Sequence, residues 1–366
     1  MTILDTAHLN DDIGTRKIFL GTYSGFQRYD VYKYKFAKQI ESKMRNAFWN
    51  PEEISLVSDR QNFPELPQHI QEVLTQNLLF QTVMDSCQSR GMDSIMSNLT
   101  TSPEWEAVFR TQGYFEQIHS LSYSHIIREM YPDATEIFNL ISEYTEIQNR
   151  VTAEVKLYDE LTSEIYNAYD DDKKREKILE LCVRIFALEG VKFYVSFLVT
   201  YIINDSYGSK IQGFTRIIKL INFDEDYHVS VFGGLLNILK REDDEGFVDL
   251  MNSGTFYKDM VGDIFNDVRK GEVTWGKYLM SFGNIPSLTP KVLENFVSCY
   301  VNDRMQKLKV GGPKAIFGDT ETWFETYKNI DLDNVAGQEG EGLAYNVGII
   351  KNDVPAGKIK IYNGKV

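Results

Sequence analysis

Cysteine and histidine are scarce in this chain of 366 residues, which holds three of the first and five of the second. Cys87, Cys182 and Cys299 are too few and too scattered for a disulfide framework or a zinc-thiolate knuckle, and they fit a reducing compartment. Strand-type alternation sustained over several residues is hard to find, which argues against a sheet-based fold. Long hydrophobic runs are missing as well. The longest apolar stretch, Val191 to Ile203, is too short to span a bilayer and is interrupted by Lys192. The first thirty residues carry charges throughout and have none of the apolar core that a signal peptide needs. Positive charge is in deficit, with 39 Lys and Arg against 53 Asp and Glu and a formal net charge of -14. That balance speaks against nucleic-acid and anionic-membrane surfaces and for protein or small-molecule partners. A soluble, cytoplasmic protein is expected.

What the chain has instead is helix-type periodicity, dominant from about Glu65 to Leu308. The pattern predicts long helices at roughly 65–90, 104–130, 135–168, 174–205, 210–240, 245–270 and 289–308. Turn chemistry falls between them. Ser102-Pro103-Glu104 offers an N-cap with proline at the first turn, Tyr131-Pro132-Asp133 ends the second helix, and Gly283 to Pro290 separates the last two. Helices of about thirty residues run to roughly 45 Å, the length of a bundle helix. From Asn334 onward, Gly337, Gly340, Gly342, Gly348, Gly357 and Gly364 punctuate a stretch with no sustained apolar face. The expected organisation is an N-terminal arm over 1–15, one all-α helical bundle over 16–330, and a flexible C-terminal tail over 331–366.

The chemistry gathers in a motif that occurs twice, Glu116-x-x-His119 and Glu225-x-x-His228. Residues three apart share a helix face, so each pair can aim a carboxylate and an imidazole at one ion. Two further acids, Asp85 and Glu189, lie in apolar helical sequence. Glu189 is surrounded by Ile185, Phe186, Leu188, Val191 and Phe193, and a buried carboxylate there must be protonated, paired or metal-bound. The plain alternatives are an ion pair between Glu189 and Lys192 and a surface position for Asp85. Four segments converging on one centre favour the metal reading, since two Glu-x-x-His pairs plus two single acids are the ligand set of ferritin-like di-metal carboxylate proteins. Four carboxylates and two imidazoles suit iron or manganese better than zinc. His8, His69 and His125 are expected to be structural or surface residues.

Tyr123 follows His119 by four residues and Glu116 by seven, so all three share one stripe. Phe193 and Phe197, four and eight residues after Glu189, and Ile221, one turn before Glu225, are expected around its ring. An apolar jacket of that kind would keep reductants away from a tyrosyl radical. The alternative is a core tyrosine whose hydroxyl bonds to a ligand carboxylate.

The segments Phe48-Trp49-Asn50-Pro51-Glu52-Glu53, Asp85-Ser86-Cys87-Gln88, Glu116 to Arg128, Ala187 to Tyr194 and Asp224-Glu225-Asp226-Tyr227-His228 closely resemble the small, radical-generating subunit of class I ribonucleotide reductase. The likeness covers about residues 15 to 350 and is nearest the enterobacterial and phage forms, so the expected compartment is the host cytoplasm if the gene is a phage's. The resemblance implies a homodimer that binds two iron ions at Asp85, Glu116, His119, Glu189, Glu225 and His228, reacts with O2 and oxidises Tyr123 to a stable radical. It further implies a radical-transfer route through Trp49, Asp224 and Tyr345 to a separate large subunit, where ribonucleotides are reduced. Trp49 and Tyr345 come from the resemblance alone. Two departures stand out. Relatives often carry a β-hairpin where this chain has only Tyr169 to Lys174, and the final residues, Gly357 to Val366, are basic where the family's docking tail is commonly acidic. Ile359, Ile361 and Tyr362 remain as candidate anchors for a groove on the partner.

The runner-up is a di-iron oxidase or desaturase acting directly on an organic substrate. Asp85, in place of the usual Glu, and Tyr123 both count against it. A ferritin-like store would be about half as long and would lack the glycine-rich tail.

Overall fold

A few helix starts in this protein are set by capping or proline residues. The computed structural model describes residues 3–9, 12–241 and 245–329. Among them, ten helices have ten residues or more: α1 (Lys35–Asn46), α2 (Gln68–Gly91), α3 (Pro103–Met130), α4 (Thr145–Thr162), α5 (Asp171–Ala187), α6 (Tyr194–Ser206), α7 (Gln212–Leu239), α8 (Phe256–Ser281), α9 (Pro290–Lys307) and α10 (Asp319–Lys328). Proline opens α3 and α9, where its missing N–H costs no hydrogen bond. Asp170 caps α5 through the Lys173 N–H at 2.8 Å. No strand occurs among the described residues, and only Tyr169 and Asp170 separate the short helix Glu164–Ala168 from α5. The hairpin is therefore absent, as expected.

Two predicted helices are corrected. The span 135–168 is broken into Ala134–Asn139, the turn Leu140–Ser142, α4 and Glu164–Ala168, with Tyr144 and Ser163 in extended conformation at the breaks. The span 245–270 divides at Ser253-Gly254, where Gly254 takes a φ of +67°, and the second piece runs on to Ser281 as α8. Left-handed backbone there suits glycine and stops Phe247–Asn252 from running into α8. Two helices went unforeseen, α1 and α10.

α5 and α6 form one continuous run joined by a single turn of π-helix, Leu188–Lys192. This run, Asp171–Ser206, is long and apolar enough to cross a membrane, but 94% of its most apolar window is buried within the protein. It is the central core helix. α2, α3, the α5–α6 run and α7 pack together, with α1 laid against α3 and α7, α8 against α5 and α9, and α9 against the π turn. Such helices, apolar nearly all round, belong inside a bundle. The tail over 331–366 and the residues placed on it lie outside the described residues.

Candidate metal centre

Four helical segments each deliver side chains to one buried point. α2 brings Asp85, α3 brings Glu116 and His119, the π turn brings Glu189, and α7 brings Glu225 and His228; all six are fully inaccessible to solvent. Their ligating atoms fall into two overlapping groups, each with every atom within 4.8 Å of the others. Asp85, Glu116, His119 and Glu225 form one group, and Glu116, Glu189, Glu225 and His228 form the other. Glu116 and Glu225 belong to both groups and would be shared if each group held an ion.

His119 turns Nδ1 toward Glu225 Oε1 (3.4 Å), Glu116 Oε2 (3.5 Å) and Asp85 Oδ2 (3.7 Å). His228 Nδ1 lies 2.9 Å from Glu225 Oε2, 3.0 Å from Glu116 Oε1 and 3.9 Å from Glu189 Oε2. The plain alternatives do not hold. Asp85 is fully buried, and Lys192 pairs with Glu154 at 2.5 Å rather than with Glu189.

The polar atoms of this cluster test its fit to metal. Both Asp85 oxygens, both Glu116 oxygens, Glu189 Oε2, Glu225 Oε1 and His119 Nδ1 have no hydrogen-bond partner. Orphaned charges at such depth are costly unless a cation meets them. With hard carboxylate oxygens and two imidazole nitrogens around two positions, the donor set fits a pair of first-row divalent ions. Protonation tells the same story without metal. Burial, then the charge on Glu116, pushes Asp85 and Glu189 well above the usual carboxylate range. Burial also opposes ionisation of Glu116 and Glu225, but the imidazoles, His228 foremost, outweigh it and hold both below that range. His119 is raised against its burial by its hydrogen bond to Asp224 and by the nearby Glu116 and Glu225 carboxylates, and His228 by the charges of Glu116 and Glu225. Protons thus stand where cations would.

Neighbouring groups orient the ligands. Glu189 Oε1 accepts from Gln88 Nε2 (2.7 Å) and Gln112 Nε2 (3.2 Å), and Gln88 in turn accepts the Tyr158 hydroxyl. These glutamines were missed in the sequence, although Gln88 stands three residues after Asp85 and Gln112 four before Glu116. Trp49 donates its indole N–H to Asp224 Oδ2 at 2.7 Å, and that oxygen lies 3.1 Å from His119 Nε2. The Trp49 and His119 rings lie 6.4 Å apart, nearly parallel at 25°.

Tyr123 is fully buried, and burial and then the Asp85 charge push its hydroxyl well above the ordinary phenol range. That hydroxyl faces Asp85 without a hydrogen bond of normal geometry. Phe193, Phe197 and Ile221 are fully buried too. Phe193 and Phe197 stack on one another with centroids 5.9 Å apart, and Phe193 also packs on Phe80; no ring pairing joins either to Tyr123. His69 and His125 face backbone carbonyls of Asn284 (3.1 Å) and Ile54 (3.4 Å), away from the centre. Tyr345 lies outside the described residues.

The sequence matches the family described as "Ribonucleotide reductase, small chain" over residues 28–321. It is 32% identical over 355 residues to the ribonucleoside-diphosphate reductase subunit beta of Buchnera aphidicola subsp. Baizongia pistaciae, covering 92% of this chain and 93% of that one. It is 29% identical over 370 residues to the subunit of the same name from Enterobacteria phage T4, covering 94% of each. The fold is similar to that of the ribonucleotide reductase R2 subunit from Clostridium botulinum, with a TM-score of 0.77 and 22% identity over 90% of this chain and 98% of that one. Nothing in these likenesses favours a free-standing oxidase or desaturase. The family match runs through all four ligand-bearing segments, and on that ground the chain belongs to the ribonucleotide reductase small-chain family.

Proposed function

We propose that this chain is the radical-generating small subunit of a ribonucleoside-diphosphate reductase, with Tyr123 as the stored oxidant. The observation that carries the reading is Tyr123 itself, fully buried, one turn beyond His119 and facing Asp85. Asp85, Glu116, His119 and Glu225 would hold one ion, and Glu116, Glu189, Glu225 and His228 the other. We take the pair to be iron, with manganese accepted by the same donors. When bound, it supplies the power to oxidise a phenol with O2.

The chain's own residues do the rest. Tyr123 gives up one electron and its hydroxyl proton, for which Asp85 is the facing carboxylate. Burial keeps water and reductants from the ring. Trp49, Asp224 and His119 make a continuous hydrogen-bonded path from the centre toward the surface, and we assign to it the transfer of the oxidising equivalent. Residues 331–366 would carry that transfer onward through Tyr345 and dock on the large subunit, beyond a bundle over 16–330 and an arm over 1–15.

Phe48, Tyr114 and Leu121 are each about half exposed, and Phe48 stacks on Tyr114. An apolar face of this kind supports a homodimer. Sedimentation of Leu121→Asp beside the unaltered chain tests it, with a monomer expected for the variant. The composition supports a cytoplasmic protein that binds neither nucleic acid nor membrane.

The central experiment loads the chain with iron(II), admits oxygen and records electron paramagnetic resonance. A tyrosyl radical signal is expected, and Tyr123→Phe should abolish it while leaving metal uptake unchanged. The same signal in the variant would move the radical to another residue.

A further inference from the structure

Glu189 differs from the other five proposed ligands in its backbone. They sit in regular α-helix, whereas Glu189 sits in the π turn Leu188–Lys192. A π turn is rare, disturbs the regular ladder of helical hydrogen bonds and is frequently found at functional sites. Side chains from other helices address this one from two sides. Arg304 of α9, only 4% exposed, donates Nε to the Gly190 carbonyl at 3.2 Å, Nη2 to the Tyr194 hydroxyl at 2.8 Å and Nη1 to Asp303 at 2.5 Å. Arg150 of α4 donates to the Lys192 carbonyl at 3.3 Å, and the Lys192 ammonium returns to the Arg150 carbonyl at 3.3 Å and to Glu154 at 2.5 Å.

The fit at Gly190 is close. A Cβ there would lie 2.8 Å from Arg304 Nε and 3.0 Å from its Cδ, so the guanidinium approaches only because residue 190 has no side chain. A rigid, buried fork with three separate acceptors has little freedom to swing aside.

Resting on the di-metal reading above, we infer that Arg304 is a positioning residue for Glu189, holding the π turn so that this carboxylate reaches one of the two ions. Arg304 bonds to the backbone one residue beyond Glu189 and has no hydrogen bond to any of the proposed ligand side chains. Because Glu189 belongs only to the group with Glu116, Glu225 and His228, the effect is selective. The position built on Asp85, Glu116, His119 and Glu225 does not depend on it.

The test uses the full metal-free chain and Arg304→Gln, Arg304→Lys and Gly190→Ala variants, titrated with manganese(II). Calorimetry and electron paramagnetic resonance of bound manganese read the two sites, and thermal unfolding is followed in parallel. Arg304→Gln and Gly190→Ala should weaken one site by about 10-fold or more, the usual effect of losing a ligand-orienting partner. The other site should keep its affinity. Arg304→Lys, which can return one hydrogen bond to the Gly190 carbonyl, should recover part of the loss. Equal weakening of both sites, or no change at either, overturns the inference. If Arg304→Gln does not fold, Gly190→Ala, which keeps the charge, decides alone. An unaltered chain that takes up fewer than two ions overturns the di-metal reading itself, and the inference with it.

Discussion

Trp49 and His119 meet at a single oxygen: Asp224 Oδ2 accepts the indole N–H at 2.7 Å and lies 3.1 Å from His119 Nε2. A proton held on Nε2 by Asp224 frees Nδ1 for an ion, which is how outer carboxylates fix a ligating imidazole. Asp224→Ala should therefore weaken metal binding by about 10- to 100-fold. Trp49→Phe should keep metal affinity and the Tyr123 signal while losing nucleotide reduction with the large subunit. Metal titration, electron paramagnetic resonance and turnover separate the two variants. Full turnover in Trp49→Phe would take this tryptophan off the route.

The sequence shows some of this arrangement and hides the rest, for physical reasons. Glu116 with His119, and Glu225 with His228, announce themselves because a helix turns spacing into direction. Trp49 has no such signal. It stands on a loop, 175 residues from Asp224, and only the family resemblance named it. Arg304 reaches a backbone carbonyl 114 residues away, made to matter by a π turn that no periodicity reveals. Helix existence was easier to read than helix continuity. The break at Ser163 leaves the apolar pattern nearly intact, so 135–168 read as one helix although it is several.

Metal affinity should rise with pH. Without metal, Asp85 and Glu189 are held above the ordinary carboxylate range, and His119 and His228 above 6.5, so at neutral pH the centre carries protons that ions must displace. Calorimetry in buffers of different ionisation enthalpy should show net proton release on loading. The stability of the metal-free chain follows the same signs. Raised imidazoles contribute stability fully below about pH 6.5 and lose it as pH climbs through their folded values; the two raised acids lose theirs upward from the ordinary carboxylate range. Glu116 and Glu225, held low, contribute above that range and lose it only in acid. The melting temperature of the metal-free chain should fall on going from pH 6.5 toward 9, and that of the loaded chain should change little. A flat metal-free curve would contradict the assignment.

Arg150 and Glu272 form a buried ion pair, with the guanidinium also lying over the rings of Phe80 (4.0 Å) and Trp275 (4.7 Å). Glu272 is fully buried. Removing one partner strands the other charge, so Arg150→Met should cost about 3–5 kcal/mol in urea unfolding. Adding Glu272→Met should recover most of that loss, because it is the stranded carboxylate that is expensive. A double variant no more stable than Arg150→Met would show that the guanidinium acts mainly through its ring contacts.

Tyr345 offers the cleanest separation between making an oxidising equivalent and exporting it. It lies in the stretch Gln338 to Tyr345, outside the described residues, and the proposed route needs a side chain there that can lose an electron and a proton together. Phenylalanine has no proton to give. Tyr345→Phe should therefore keep full metal content and the whole Tyr123 radical signal, yet fail to reduce nucleotides with the large subunit added. A peptide of residues 357–366 should compete for docking without touching the radical. Its lysines, Lys358, Lys360 and Lys365, should make that competition weaken as salt is raised. Turnover unchanged in Tyr345→Phe would remove the tyrosine from the route and leave the tail with docking alone. A docking defect in the same variant would show up as a raised requirement for the large subunit, whereas loss of transfer persists when that partner is saturating.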